Sequence, residues 1–186
     1  MKKGSFSADS DAIRRRARQR LSDDAVTDND GGTLKLALSL LNDAVATEVV
    51  CILRYKFHAI CATELPSEAV KQEFIEHARE EEAHLDMLTE RITQLGGRPD
   101  LDPTPITARA ASQYAEGETL LEMIQEDLVA ERIAIEIYRD LVRYFGHRDP
   151  TTRILLEKIL AQEEEHASDM HDLLVAHQRD PAAADR

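Results

Sequence analysis

Four long stretches of this chain each carry one glutamate in the middle of an otherwise apolar helical stripe, and helices cannot bury those stripes together without gathering the carboxylates. Steps of four and three residues select Leu41, Val45, Glu48, Ile52, Tyr55 and Ala59, then Val70, Phe74, His77, Glu81, His84 and Leu88. The third stretch gives Ile124, Leu128, Glu131, Ile135, Tyr138, Val142 and Phe145, and the fourth Leu156, Ile159, Glu163, His166, Met170 and Leu173. Residues so spaced share one face of an α-helix. The pattern is also duplicated: Glu48, Tyr55 and Glu81-x-x-His84 recur as Glu131, Tyr138 and Glu163-x-x-His166.

Breakers divide the chain. Residues 1–32 end in Asp-Asn-Asp-Gly-Gly and are expected to form a tail, with at most one short basic helix. A helix over Thr33–Glu64 should stop at Leu65-Pro66, and a second should run from there to Leu95, closed by Gly96-Gly97. The stretch from Gly96 to Gly117 holds Pro99, Pro103 and Pro105, far more chain than adjacent antiparallel helices need, and so predicts a crossover along the bundle with a small helix over Ile106–Ala115. A third helix is expected over Glu118–Phe145. After Gly146, Asp149 should cap a fourth that begins at Pro150 and fades near His177. The expectation is therefore an all-α fold: one four-helix bundle over 33–178, made of two antiparallel hairpins joined by a long crossover, with tails at 1–32 and 179–186.

Height along the hairpins makes the stripes converge. Glu48 and Glu81 stand almost equally far in sequence from the turn at Leu65, on opposite sides of it, and Glu131 and Glu163 are placed the same way about His147. All four glutamates should meet at one level, with His84 and His166 beside them. Burying an unpaired carboxylate costs several kcal/mol, and no Lys or Arg occupies a central stripe position, so a metal is the economical compensation. In Glu-x-x-His both side chains face the same way, which lets the Glu bridge two ions while the His binds one. Carboxylates with imidazoles and no thiolate suit iron or manganese and disfavour a zinc-thiolate or iron–sulfur site. Two iron ions per subunit are the first expectation, with manganese or zinc as substitutes.

Charge and cysteines bound the remaining functions. The net charge is −13, but residues 1–21 carry seven basic and two acidic side chains, leaving +5 there and −18 elsewhere. An acidic body attracts cations and speaks against a nucleic-acid face on the folded domain, whereas the basic tail is a candidate DNA contact. No apolar run follows the N-terminal lysines as a secretory signal requires, and none reaches about 20 residues. No membrane association and a cytoplasmic location are expected. Cys51 and Cys61 would stand roughly 15 Å apart on a straight helix, too far for a disulfide, and are expected to be small buried hydrophobes.

From Leu34 to His177 the chain resembles the ferritin-like superfamily, in its bacterioferritin and Dps-like branch. The resemblance implies a ferroxidase centre oxidising Fe(II) with O2 or H2O2, inside a homo-oligomeric shell of 12 or 24 subunits that stores ferric mineral. By position Glu81 and Glu163 would bridge the irons, Glu48 with His84 would complete one, and Glu131 with His166 the other. Tyr55 matches a tyrosine kept two turns from the first Glu, either as hydrogen-bonding partner or electron donor, or as a core aromatic; Tyr138 is expected to pack. His77 is expected to support or pack rather than ligate, and Glu76 and Glu80 to be ordinary exposed acids. Glu82 stands where bacterioferritins carry a haem-binding Met, so haem is not expected. The long crossover and basic tail lean towards Dps. Competing readings are a di-iron or dimanganese hydroxylase or peroxidase without a shell, and a DNA-protecting protein acting through the tail.

Overall fold

The computed structural model describes residues 31–62 and 68–179, with isolated positions at 12, 15 and 18. The basic tail, the turn at Leu65-Pro66 and residues 180–186 lie outside the described residues. Between residues 31 and 179 the described helices follow in order: α1 (Gly31–Cys61), α2 (Glu68–Gln94), α3 (Pro103–Arg109), α4 (Leu120–Phe145) and α5 (Pro150–Arg179). α1 packs chiefly on α2 and α4 on α5, which makes the expected pair of hairpins.

Helix ends follow local chemistry. α1 starts two residues before the expected Thr33. α2 closes in a Schellman motif: the Gly97 amide donates to Ile92 O and that of Gly96 to Thr93 O, both at 2.9 Å, with Gly96 at φ 75°. At Gly97 the reason is space, since a Cβ there would stand 2.4 Å from a Leu38 methyl. α4 begins at Leu120 rather than Glu118 because Thr119 and Glu122 form a capping box. Asp149 caps α5, accepting from the Thr152 amide at 3.0 Å.

The crossover helix differs from its expected span. It runs over Pro103–Arg109, because Asp102 caps Thr104 N and Pro103 suits the first turn, and the chain turns extended at Ala110. The rest of the crossover is held to α1 by side chains off the core stripe. Asn42 accepts from Asp100 N at 2.7 Å, Thr47 from Ala111 N at 3.1 Å, and Arg54 donates to Gln113 O at 3.2 Å. Ile106 fills the remaining gap against Ala46 and Val50.

The expected stripes form the core, except that Val142 and Leu173 are only half-buried. The apolar core is in two parts. One end gathers Leu41, Leu88, Ile92, Phe145 and Ile159; the other gathers Phe74, Ile124, Leu128 and Met170. The glutamates occupy the level between them. By length and composition α1 could cross a membrane, with a mean hydropathy of 1.8 over its most apolar part, contrary to the sequence expectation. Of that most apolar part, 56% is buried inside the bundle, where it forms core. The cysteines also divide: Cys51 is buried but Cys61 is exposed.

Near the closed end, Arg91 ties α2 to α5 through Thr152 Oγ1 at 2.7 Å and both Asp149 oxygens at 3.0 Å. Burial works to raise the Asp149 carboxyl, but the Thr152 hydrogen bonds and the Arg91 guanidinium outweigh it and hold it below its usual range. Asp149→Ala removes a cap and a charge partner, an expected loss of about 1–2 kcal/mol, or a few degrees in Tm. Because the folded carboxyl is the stronger acid, this stabilisation is full above the unfolded value near 3.8 and fades as pH falls through the folded one. Thermal melts of wild type and variant should therefore differ at pH 7 and converge in strong acid.

Candidate metal centre

The six residues singled out by spacing meet in one place. Glu48, Glu81, Glu131, Glu163, His84 and His166 are each no more than 1% exposed. Their inward atoms form two compartments. In the first, His84 Nδ1 lies 3.1 Å from Glu81 Oε2, 3.1 Å from Glu163 Oε1 and 3.6 Å from Glu48 Oε2. In the second, His166 Nδ1 lies 3.5 Å from Glu81 Oε1, 3.9 Å from Glu163 Oε2 and 3.9 Å from Glu131 Oε2. Glu81 and Glu163 thus give one oxygen to each compartment, as bridging carboxylates must.

Unmet hydrogen bonding marks the same atoms. Glu48 Oε2, Glu81 Oε1, Glu131 Oε2, both Glu163 oxygens and His166 Nδ1 are buried without a hydrogen-bond partner. Buried polar atoms are normally satisfied, so this many orphans aimed at one space fit a pair of cations. Each compartment gathers a four-residue group, with ligand atoms within 4.8 Å of one another, suited to a metal ion.

The outward atoms are fixed from the opposite hairpin. The Tyr138 hydroxyl donates to Glu48 Oε1 and that of Tyr55 to Glu131 Oε1. His84 Nε2 meets Gln162 Oε1 at 3.2 Å, and His166 Nε2 meets Glu80 Oε2 at 2.7 Å. Orienting the distal imidazole nitrogen fixes which ring atom can ligate, here Nδ1 in both. Tyr138 therefore does more than pack, and Glu80 is not an ordinary exposed acid. Glu76 is exposed as expected. Glu82 lies on the surface, paired with Lys56.

Electrostatics agree with the orphaned atoms. Burial, then the charge of Glu81, pushes Glu48 up to about 8. Burial and the other carboxylates likewise raise Glu163 and Glu131. Burial opposes ionisation of Glu81, yet its contacts with Glu48, His166 and His84 keep it charged. His166 is lifted to about 9 against burial by Glu81 and Glu131. Without metal, protons supply the positive charge that the centre needs.

Periodicity missed one buried charge group. Arg54 Nε donates to Asp127 Oδ1 at 2.8 Å, and His58 Nδ1 meets Asp127 Oδ2 at 2.8 Å, all three fully buried. The signal was present in Arg54 and His58 one turn apart and in Asp127 one turn before Glu131. Gln162 and Glu80 were missed as well, since each stands immediately before Glu163 or Glu81 and so lies beside the stripe.

Comparison with known proteins agrees with this arrangement. A family model described as a ferritin-like domain matches residues 38–179. The chain belongs to the ferritin-like family. Within it, this ferritin-like chain falls in the bacterioferritin and Dps-like branch. It is 33% identical over 153 residues to the DNA protection during starvation protein of Pyrococcus furiosus, covering 80% of this chain and 82% of that protein. A bacterioferritin of Mycobacterium leprae is 29% identical over 135 residues, covering 69% and 77%. Among solved structures, a dodecameric thioferritin from Bacteroides fragilis, described as bacterioferritin-related, matches with TM-score 0.77 and 27% identity, over 92% of this chain and 99% of that one. A Dps protein from Bacillus brevis shares the fold, with TM-score 0.74 and 22% identity over 78% and 99%.

If the centre is a metal cage, neutralising it and filling it should act alike. In EDTA-treated protein, Glu48→Gln with Glu131→Gln should raise Tm, because each change replaces a carboxyl whose ionisation burial opposes and leaves an amide oxygen for the tyrosine hydroxyl. Saturating Zn(II) or Mn(II) should stabilise wild type, by about 2.7 kcal/mol at a hundred times Kd, and the double variant should lose most of that gain. Scanning calorimetry with and without metal reads both.

Proposed function

We propose that this ferritin-like chain oxidises Fe(II) at a dinuclear ferroxidase centre within each subunit, using O2 or H2O2, and stores the ferric product inside a homo-oligomeric shell. The observation that carries this reading is the set of orphaned lone pairs divided between two compartments that share Glu81 and Glu163. Iron is the substrate, and a bound pair of Fe(II) ions supplies one electron each to the oxidant.

The chain's residues provide the binding geometry. Glu81 and Glu163 hold the two ions together, Glu48 with His84 closes one compartment, and Glu131 with His166 closes the other. Tyr55 and Tyr138 keep the terminal carboxylates turned inward, and Tyr55 acts as a positioning residue through Glu131. Apolar clusters lie on either side of the centre along the bundle. An acidic body raises the local concentration of Fe(II). The setting is cytoplasmic, with α1 as a core helix.

A shell of 12 is favoured over 24, since the solved thioferritin that this chain matches over nearly its whole length is described as dodecameric. DNA protection is a second reading, favoured by the name of the Pyrococcus furiosus relative and by the +5 charge of residues 1–21.

Glu81→Ala and Glu163→Ala should each slow initial Fe(II) oxidation by about 100-fold or more, followed by absorbance of ferric product, with the helical circular dichroism unchanged. Wild-type rates in either would overturn the bridging assignment. Light scattering should give the mass of twelve chains, whereas the mass of a dimer would exclude storage. For the DNA reading, deleting residues 1–21 should abolish retardation of DNA in a gel, and unchanged retardation would refute it.

A further inference from the structure

A second group of ligand-type side chains sits on the flank of the dinuclear centre, between α2 and α5. Glu73 and His77 lie one turn apart on α2, and Asp169 lies three residues beyond His166 on α5. His77 is 2% exposed, and its ring stacks on that of His166 with centroids 4.1 Å apart and planes at 23°. The side chains of Glu73 and Asp169 are 35% and 43% exposed, so the group opens to solvent on one side.

The hydrogen-bond chain assigns the tautomer of His77. Tyr55 has a single hydroxyl proton, which it gives to Glu131 Oε1. His77 Nδ1, 3.1 Å from that hydroxyl oxygen, must then be the donor and carry the ring hydrogen. In the neutral ring this leaves the lone pair on Nε2 pointing outward. Nε2 lies 3.7 Å from Glu73 Oε1 and 3.6 Å from Asp169 Oδ2, beyond hydrogen-bond reach of both. Three electron-rich atoms therefore converge with no proton between them, all within 4.8 Å of one another.

That spacing fits an ion. Ligand atoms at about 2.1 Å from a common metal stand roughly 3.0 Å apart in octahedral geometry and roughly 3.4 Å in tetrahedral geometry. Small rotations of two half-exposed carboxylates close the difference. We propose that Glu73, His77 and Asp169 form a third metal site in each subunit, for a partly hydrated divalent cation of the Fe(II), Mn(II) or Zn(II) class. One imidazole with two carboxylates selects such ions over Ca(II), which prefers an all-oxygen cage. The site lies one ring outward from the dinuclear centre and shares no ligand with it, so it stands independently of the storage reading.

Zn(II) is the probe. Crystals of the metal-free full-length protein soaked in Zn(II) should show an anomalous peak among Glu73, His77 and Asp169, besides those of the dinuclear centre. Equilibrium dialysis should give three Zn(II) per subunit for wild type and two for Glu73→Gln with Asp169→Asn, both changes on the surface and harmless to folding. The Glu48→Gln, Glu131→Gln variant should keep the flanking peak after losing the dinuclear ones, so failure of the central site and of this one are told apart. No peak at the flank, or equal stoichiometry in wild type and the Glu73, Asp169 variant, would overturn the proposal.

Discussion

Four carboxylates held at one level of a helical bundle, with no lysine or arginine among them, set the terms for everything else in this molecule. Such a cluster is not stable as bare charge, and each part of the centre answers it. Burial and mutual repulsion raise three of the four carboxyls so that they take up protons, the two imidazoles are held protonated by the carboxylates around them, and the remaining lone pairs are left without partners. The apolar core yields to the same constraint by splitting into two clusters, one above the centre and one below. The bundle is thus two apolar plugs around a polar slice, and its helices must be long enough to span all three.

Charge that is not meant for metal is handled separately. Arg54, Asp127 and His58 form a closed group whose guanidinium also holds the crossover at Gln113. This guanidinium is therefore committed to Asp127 and does not reach the four glutamates. Arg91 serves Asp149 and Thr152 in the same way at the other end. Both arginines are buried, and each ties together elements that are distant in sequence.

Much of this was legible because helical stripes and hairpin symmetry are long-range rules read from short-range spacing. The six inward carboxylates and imidazoles follow from register alone, since any helix that buries Leu41 and Ala59 must also bury Glu48. The supporting contacts did not follow. Whether Tyr138 packs or donates depends on how the two hairpins are rotated against each other, and stripe periodicity is blind to rotation. Glu80 and Gln162 sit beside the stripe, where spacing predicts exposure and only the opposite imidazole turns them inward. The crossover helix shifted because Asp102 and Pro103 decide locally what the composition of the whole connection leaves open. Thr119 did the same for the start of α4.

The crossed tyrosines carry one more consequence. Glu48 and Glu131 are each steadied by a hydroxyl from the other hairpin, and Glu81 and Glu163 each face the imidazoles of both. Neither half of the polypeptide contains a complete cage. As the chain leaves the ribosome, the first hairpin is finished well before its counterpart, and during that interval it offers three ligands and one unanswered tyrosine. The full set of six inward carboxylates and imidazoles is thereby assembled only by docking, and exists only where a finished scaffold surrounds it.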